Sequence, residues 1–117
     1  MNIKIVTRNE LKMPECVKIP INVEDNDWLG SGRLGTFLVP DVIFGISLKK
    51  AGYIHDKCYE LQIGKQLADD LFLHNMRVLI CRDYNLIIRA SALELAETYY
   101  YAVCKFGQKS YDKCAIK

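Results

Sequence analysis

Residues Leu48 to Gly64 read LKKAGYIHDKCYELQIG, and this stretch decides the fold because it has the repeat of an amphipathic helix. Its small, apolar and aromatic side chains recur at steps of three and four residues, which is the spacing of one helix face. That face is made of Leu48, Ala51, Gly52, His55, Cys58, Tyr59 and Gln62. Asp41 or Ser47 is the predicted N-cap, and Gly64 is the predicted end. His55 is therefore expected on the side of the helix that faces the core.

A second helix is predicted from about Lys65 to Cys81, after a short connection. Its apolar side is formed by Asp69, Phe72, Leu73, Met76 and Ile80. Asp70 lies on another face with polar neighbours, so Asp69 is the predicted buried carboxylate of this adjacent pair. Because the connection is short, the two helices are expected to be antiparallel neighbours, with His55 facing Asp69.

The pair of His55 and Asp69 is a candidate site because a buried carboxylate needs a hydrogen-bonding partner. An imidazole N–H is a suitable donor, and Tyr59, one turn after His55, is expected to donate a second hydrogen bond to Asp69. Such a pair suits ester hydrolysis, in which neutral His55 takes a proton from water while Asp69 fixes its tautomer.

A glycine-rich run, Asp27-Trp28-Leu29-Gly30-Ser31-Gly32-Arg33-Leu34-Gly35, precedes these helices and predicts a loop over residues 28–36. Asp56 points about 100° away from His55 around the helix axis, toward the helix flank. A carboxylate placed there, together with carbonyl oxygens of the loop, is a ligand set that Ca²⁺ prefers. The sequence therefore predicts a Ca²⁺ site beside the histidine.

The two ends of the chain are expected to complete a mainly α fold. Alternation in residues 2–7 and in Val17 to Val23 predicts a short hairpin or two edge strands. A third helix is predicted from Asp83, as its N-cap, to Phe106, with Gly107 as the stop. Its stripe consists of Ile88, Ala92, Leu95, Tyr99, Val103 and Phe106.

The composition is that of one domain spanning residues 1–117, with a net charge of only +2. That charge is too small to argue for nucleic acid as the partner. No apolar run reaches the roughly 20 residues that a transmembrane helix needs, and the first residues lack the features of a secretory signal. The five cysteines form no C-x-x-C pair and agree with a reducing compartment, so the chain is expected to be cytoplasmic as synthesised.

Three motifs together resemble the phospholipase A2-like superfamily. His55-Asp56-Lys57-Cys58-Tyr59 resembles the H-D-x-C-Y signature of the active-site helix in secreted phospholipases A2, and Trp28-Leu29-Gly30-Ser31-Gly32 is similar to their calcium loop. The likeness is greater to parvovirus capsid phospholipase domains, which also carry A-D-x-x-F, here Ala68-Asp69-Asp70-Leu71-Phe72. Small bacterial and phage proteins share the H-D and A-D-x-x-F pattern. The vicinal cysteines of the secreted enzymes are replaced by Ala51 and Gly52.

The resemblance implies a small phospholipase A2-like domain whose active-site helix pair spans residues 46–81. It implies Ca²⁺-dependent hydrolysis of the sn-2 acyl ester of glycerophospholipids at a bilayer surface, and a viral, phage or bacterial protein, virion-associated in the viral case. His55 would be the general base, Asp69 its orienting carboxylate and Tyr59 a support for Asp69. The implied Ca²⁺ ligands are the Asp56 carboxylate and the carbonyls of Trp28, Gly30 and Gly32, and the Gly30 N–H would bind the oxyanion.

Two other functions remain open from the sequence. One is a non-catalytic phage or bacterial binding protein that keeps the helix pair as a scaffold. The other is a protein that interacts peripherally with a membrane surface, for which lysines near both ends of the chain would face anionic lipid.

Overall fold

The computed structural model describes residues 3–19, 42–43, 46–83 and 86–115, and within these ranges the chain is mainly α-helical. The helices are α1 (Lys49–Leu61), α2 (Lys65–Asp83), α3 (Leu86–Phe106) and α4 (Gln108–Ala115). The strands are β1 (Ile5–Arg8), β2 (Leu11–Pro14), β3 (Val42–Ile43) and β4 (Ile46–Ser47), which pair as two antiparallel hairpins. The predicted mainly α fold, with its helix pair, a third helix and an N-terminal hairpin, is confirmed.

Helix α1 begins and ends differently from the prediction. Leu48 occupies the N-cap without a capping side-chain hydrogen bond, and Ser47 belongs to β4 rather than to the cap. At the other end Gln62, not Gly64, adopts the left-handed conformation, and its N–H donates to the Tyr59 carbonyl at 3.1 Å. Gly64, with φ of +116°, instead directly precedes α2 as its N-cap residue, and its carbonyl accepts a hydrogen bond from the Ala68 N–H. The other proposed cap, Asp41, lies outside the described residues.

The connection between α2 and α3 lies later in the chain than predicted. Asp83 is the last residue of α2, so the prediction that it caps α3 is wrong, and α3 begins at Leu86. The physical reason is that residues 81–83 contain neither glycine nor proline, so the hydrogen-bond ladder of α2 continues through them.

Small residues form the core side of α3. Ala92, Ala96 and Val103 are buried, whereas Ile88 is 36% exposed and Phe106 is 61% exposed, so the predicted stripe is wrong at both of its ends. Alanine brings little bulk to a helix face, which allows α3 to pack closely against α2.

Helix α4 was not predicted, because Gly107 was interpreted as the end of the helical region. Its N–H donates to the Val103 carbonyl at 2.8 Å and its carbonyl accepts the Tyr111 N–H at 3.0 Å, so α4 follows α3 with a single residue between them. A Cβ at this position would lie 2.5 Å from the Val103 carbonyl oxygen and 2.8 Å from the Tyr59 hydroxyl. Only glycine therefore lets this junction approach α1 so closely.

The N-terminal hairpin uses a different second strand from the predicted one. Asn9 and Glu10 both have positive φ, +52° and +70°, as in the two-residue type I′ turn that suits the twist of paired strands. The partner strand is thus β2, and the described part of the predicted strand, residues 17–19, is not a strand. Asn75 of α2 holds the hairpin, since its side chain accepts from the Lys12 N–H and donates to the Lys12 carbonyl, each at 2.8 Å.

Candidate active site

His55 and Asp69 meet where α1 crosses the first turns of α2. The His55 Nε2 lies 2.7 Å from Asp69 Oδ1, and both side chains are fully buried. The repeat of α1 buries the imidazole, and the short connection through Gly64 turns α2 back along α1. The predicted contact between the two residues is confirmed.

Tyr59 donates to the same carboxylate oxygen. Its hydroxyl lies 2.8 Å from Asp69 Oδ1, as the spacing of one helical turn after His55 predicted. Burial and the adjacent Asp69 carboxylate raise the pKa of this phenol well above its ordinary value. Tyr59 therefore stays protonated and remains a hydrogen-bond donor to Asp69.

Lys65 is a fourth member of the cluster, and it was not predicted from the sequence. Its Nζ donates to Asp69 Oδ2 at 2.7 Å and to the carbonyls of Val103 and Cys104 at 2.9 Å and 3.1 Å. The signal that was available is the spacing of four residues from Lys65 to Asp69 on one helix. This ammonium group ties the carboxylate to the end of α3.

The electrostatics of the cluster assign a protonation state to each partner. Burial lowers the pKa of His55 more than the hydrogen bond to Asp69 raises it, so the imidazole is neutral at physiological pH. Burial alone would raise the pKa of Asp69, but hydrogen bonds from His55, Lys65 and Tyr59 outweigh it and leave that pKa below its ordinary value. The site thus pairs a neutral imidazole with an ionised carboxylate.

The tautomer of His55 follows from this pairing. An ionised carboxylate accepts hydrogen bonds and donates none, so the proton of the neutral ring is on Nε2 and points at Asp69. Nδ1 then carries the ring's lone pair, and within the described ranges no side chain or backbone group hydrogen-bonds to it. This nitrogen has the electronic state that a general base requires.

Aromatic rings hold the imidazole in place. The Phe72 ring stacks on His55 with centroids 4.4 Å apart and an interplanar angle of 20°, and the Tyr59 ring lies 4.4 Å away at 52°. Tyr111 of α4 packs edge-on against Tyr59 at 5.0 Å. Phe72 is the last residue of the Ala-Asp-x-x-Phe segment, so both predicted helical motifs contribute to the same ring packing.

Asp56, the predicted Ca²⁺ ligand, is half-buried on α1 next to His55. The other predicted ligands, Trp28, Gly30 and Gly32, lie outside the described residues, so their approach to Asp56 stays a prediction. Within the described ranges, no three or more His, Cys, Asp or Glu side chains form a group that would hold a metal ion. A site made mainly of backbone carbonyls would not form such a group.

Asp70, which follows Asp69 in the sequence, and the thiol groups of the cysteines lie outside this cluster. Asp70 is exposed, as predicted, and accepts hydrogen bonds from Gln66 and Tyr100 on the surface. All five cysteines are free thiols, and burial raises the pKa of Cys58 to about 12, so its sulfur is not a nucleophile. Across the described helices, none is long and apolar enough to cross a membrane.

Comparison of the chain with protein-family models, with curated proteins and with solved structures found no match.

Proposed function

We propose that this protein hydrolyses the sn-2 acyl ester of glycerophospholipids, in the manner of phospholipases A2. The observation that carries the proposal is the state of His55, whose Nε2–H donates to ionised Asp69 while Nδ1 keeps its lone pair. The order of the motifs along the chain adds support, since the His-Asp-x-x-Tyr and Ala-Asp-x-x-Phe segments contribute to one cluster.

In this proposal His55 acts as the general base on a water molecule. Nδ1 takes a proton from the water as its oxygen attacks the ester carbonyl, and the imidazolium that forms is stabilised by Asp69. When the tetrahedral intermediate collapses, His55 returns the proton to the departing oxygen of the lysophospholipid. The products are a fatty acid and a lysophospholipid, and no covalent enzyme intermediate is formed.

The other members of the cluster position the base. Tyr59 and Lys65 donate to the two oxygens of Asp69, which keeps the carboxylate ionised and fixed in orientation. Phe72 limits rotation of the imidazole by stacking on it. These contacts fix the orientation of the imidazole, so the lone pair of Nδ1 points in one direction at every turnover.

The Asp56 carboxylate fits the chemistry of a Ca²⁺ ligand, and the carbonyls of Trp28, Gly30 and Gly32 would complete the protein ligands. Bound Ca²⁺ supplies positive charge that stabilises an oxyanion. The Gly30 N–H is proposed to donate to the same oxyanion.

The test uses the purified full chain and phosphatidylcholine vesicles labelled separately in the sn-1 or sn-2 acyl chain. Release of the sn-2 fatty acid with Ca²⁺, and its loss with a chelator, are the expected results. Asp56→Asn should raise half-saturating Ca²⁺ by at least about tenfold, whereas the matched control Asp70→Asn should leave it unchanged. No release from either position, or equal Ca²⁺ dependence in the two variants, would contradict the proposal.

A second candidate function is a non-catalytic binding protein that keeps the helix pair as a scaffold. The complete burial of His55 and Asp69 favours it, because a buried polar cluster also serves to join α1, α2 and α3. This candidate predicts no ester hydrolysis in any condition, together with a lower melting temperature for His55→Gln. A membrane-surface protein without activity would instead bind vesicles equally well before and after that substitution.

A further inference from the structure

A cleft of about 450 Å³ lies at the opposite end of α2 from the His55–Asp69 cluster. It is open to solvent and is lined by the N-terminal hairpin, the segment after β2, the first turn of α1 and the last turn of α2. Its α2 residue, Arg82, is thirteen positions beyond Asp69, which is about 20 Å along a helix. The volume is in the range of small-molecule sites, roughly 300–1,000 Å³.

Four cationic side chains line this cleft, and none of its described lining residues is Asp or Glu. They are Arg8, Lys18, Lys50 and Arg82. The whole chain has a net charge of only +2, so four positive charges around one cavity are a strong local concentration. A concave surface with charge of one sign attracts ligands of the other sign.

The two arginines are held in place mostly by neutral groups. Arg8 donates to the carbonyls of Val17 and Glu15, at 2.5 Å and 2.7 Å, and Arg82 donates to the Asn9 carbonyl. Backbone carbonyls fix the orientation of a guanidinium without cancelling its charge, and these bonds use only part of its five N–H groups. Glu10 also pairs with Arg82, with Glu10 Oε1 3.8 Å from Arg82 Nε. The Glu10 side chain is 76% exposed, and ion pairs of such exposed groups are weak.

The floor of the cleft is apolar. Leu11 and Met13 of β2 lie at its base but are almost fully buried, at 2% and 1% exposure, and half-buried Ile19 is the lining residue that offers apolar surface to a ligand. An apolar floor below a cationic rim suits a ligand with an anionic group on a less polar body. Phosphate fits the rim best, because its several oxygens accept from guanidinium and ammonium groups together.

We propose that this cleft binds the phosphate group of a small ligand, at a site separate from the His55–Asp69 cluster. The phosphate lies against Arg8, Lys18, Lys50 and Arg82, and the part of the ligand that carries it lies over Ile19. A phospholipid head group and a soluble phosphate ester share this chemistry. The site does not depend on whether the protein hydrolyses esters.

The experiment is isothermal titration calorimetry of the full chain with three probes: inorganic phosphate, glycerol 3-phosphate and monomeric dihexanoyl phosphatidic acid. Wild-type protein should bind at least one probe, and added salt should weaken the binding because the contacts are ionic. Tighter binding of dihexanoyl phosphatidic acid than of glycerol 3-phosphate supports a lipid source of the phosphate. Equal affinities for these two support a soluble source.

The variants are Lys18→Gln and Lys50→Gln, chosen because neither removes the hydrogen bonds by which Arg8 and Arg82 hold the hairpin. Each should weaken binding by about tenfold or more, as expected for a lost charge-assisted hydrogen bond. Lys109→Gln on α4 is the matched control, with the same charge change on an exposed residue away from the cleft, and should bind like wild type. Absence of binding to all three probes, or equal weakening by the cleft variants and the control, would overturn the proposal.

Discussion

The two oxygens of Asp69 have different partners, and this division explains how one buried carboxylate stays ionised. Oδ1 accepts from His55 and Tyr59, and Oδ2 accepts from Lys65. A buried carboxylate without donors would be protonated, because its charge would have lost its hydration. Three donors from two helices replace that hydration, and Lys65 also supplies a formal positive charge.

Lys65→Met tests the contribution of this ammonium group. The substitution keeps most of the side-chain volume but removes the donor to Asp69 Oδ2, so the free energy of unfolding should fall by about 2 kcal/mol. Urea denaturation measures the loss. Lys57→Met is the control, because Lys57 makes a 3.6 Å surface pair with Glu60 and a cation–π contact with the Tyr53 ring, 5.5 Å from its centroid, both of them weak, and its effect should be within about 1 kcal/mol. Equal losses in the two variants would show that the Lys65 contacts do not stabilise the fold.

The buried neutral state of His55 predicts how stability depends on pH. The pKa of His55 is lowered from 6.5 in the folded protein, so below that pH the unfolded chain binds a proton that the folded chain does not. The associated stability is present above pH 6.5 and is lost as the pH falls below it. Asp69, whose pKa is lowered from 3.8, loses its contribution only in stronger acid.

The melting temperature of wild type should therefore fall between about pH 7.5 and about pH 5. His55→Gln should show a smaller fall over the same interval, since glutamine does not titrate. The control is His74→Gln, because His74 lies at the surface with a hydrogen bond to the Glu10 carbonyl, and this variant should retain the wild-type difference. A fall of equal size in His55→Gln and in wild type would contradict the assignment.

At the scale of elements, helix periodicity predicted the faces of α1 and α2 because their buried residues recur every three or four positions. For α3 it was right at Ala92 and Val103, but it placed half-buried Leu95 on the stripe and missed buried Ala96 beside it. Helix α4 is short and mostly polar, and its apolar side consists of Tyr111 and Cys114, three positions apart, which pack on the core. For β2 the missed signal was Asn9, because asparagine readily adopts the positive φ that a tight hairpin turn requires.

Asn75 links α2 to the N-terminal hairpin by two hydrogen bonds to the Lys12 backbone, and Asn75→Ala tests their contribution to stability. The substitution leaves the N–H and carbonyl of Lys12 without their partners, so the free energy of unfolding should fall by about 2 to 3 kcal/mol. Amide hydrogen exchange at Lys12 should also become faster, which reports on the hairpin itself. Thr98→Ala on the exposed face of α3 is the control. Unchanged exchange at Lys12 would exclude Asn75 as the residue that holds β2.

At the scale of the whole molecule, the predicted contact of His55 with Asp69 is confirmed. It could be predicted because a short connection places α1 and α2 side by side, and each helix buries its apolar face against the other. The spacing of four residues from Lys65 to Asp69 was a signal for their contact that was missed, whereas the contacts of Lys65 with the carbonyls at the end of α3 cannot be predicted from a pattern within α2. The Ca²⁺ ligands stay a prediction because they depend on residues 28–32. The cationic cleft could not be predicted from sequence patterns either, since its four cationic side chains come from four separate segments of the chain.

The central claim is that His55 acts as a general base, and the chain provides its own control because it contains only two histidines. The most direct measurement is the rate of sn-2 fatty acid release from phosphatidylcholine vesicles, with Ca²⁺, for wild type, His55→Gln and His74→Gln. The account predicts that His55→Gln lowers the rate by at least about a hundredfold while it remains folded by circular dichroism, and that His74→Gln keeps the wild-type rate. Release by folded His55→Gln at the wild-type rate would contradict it.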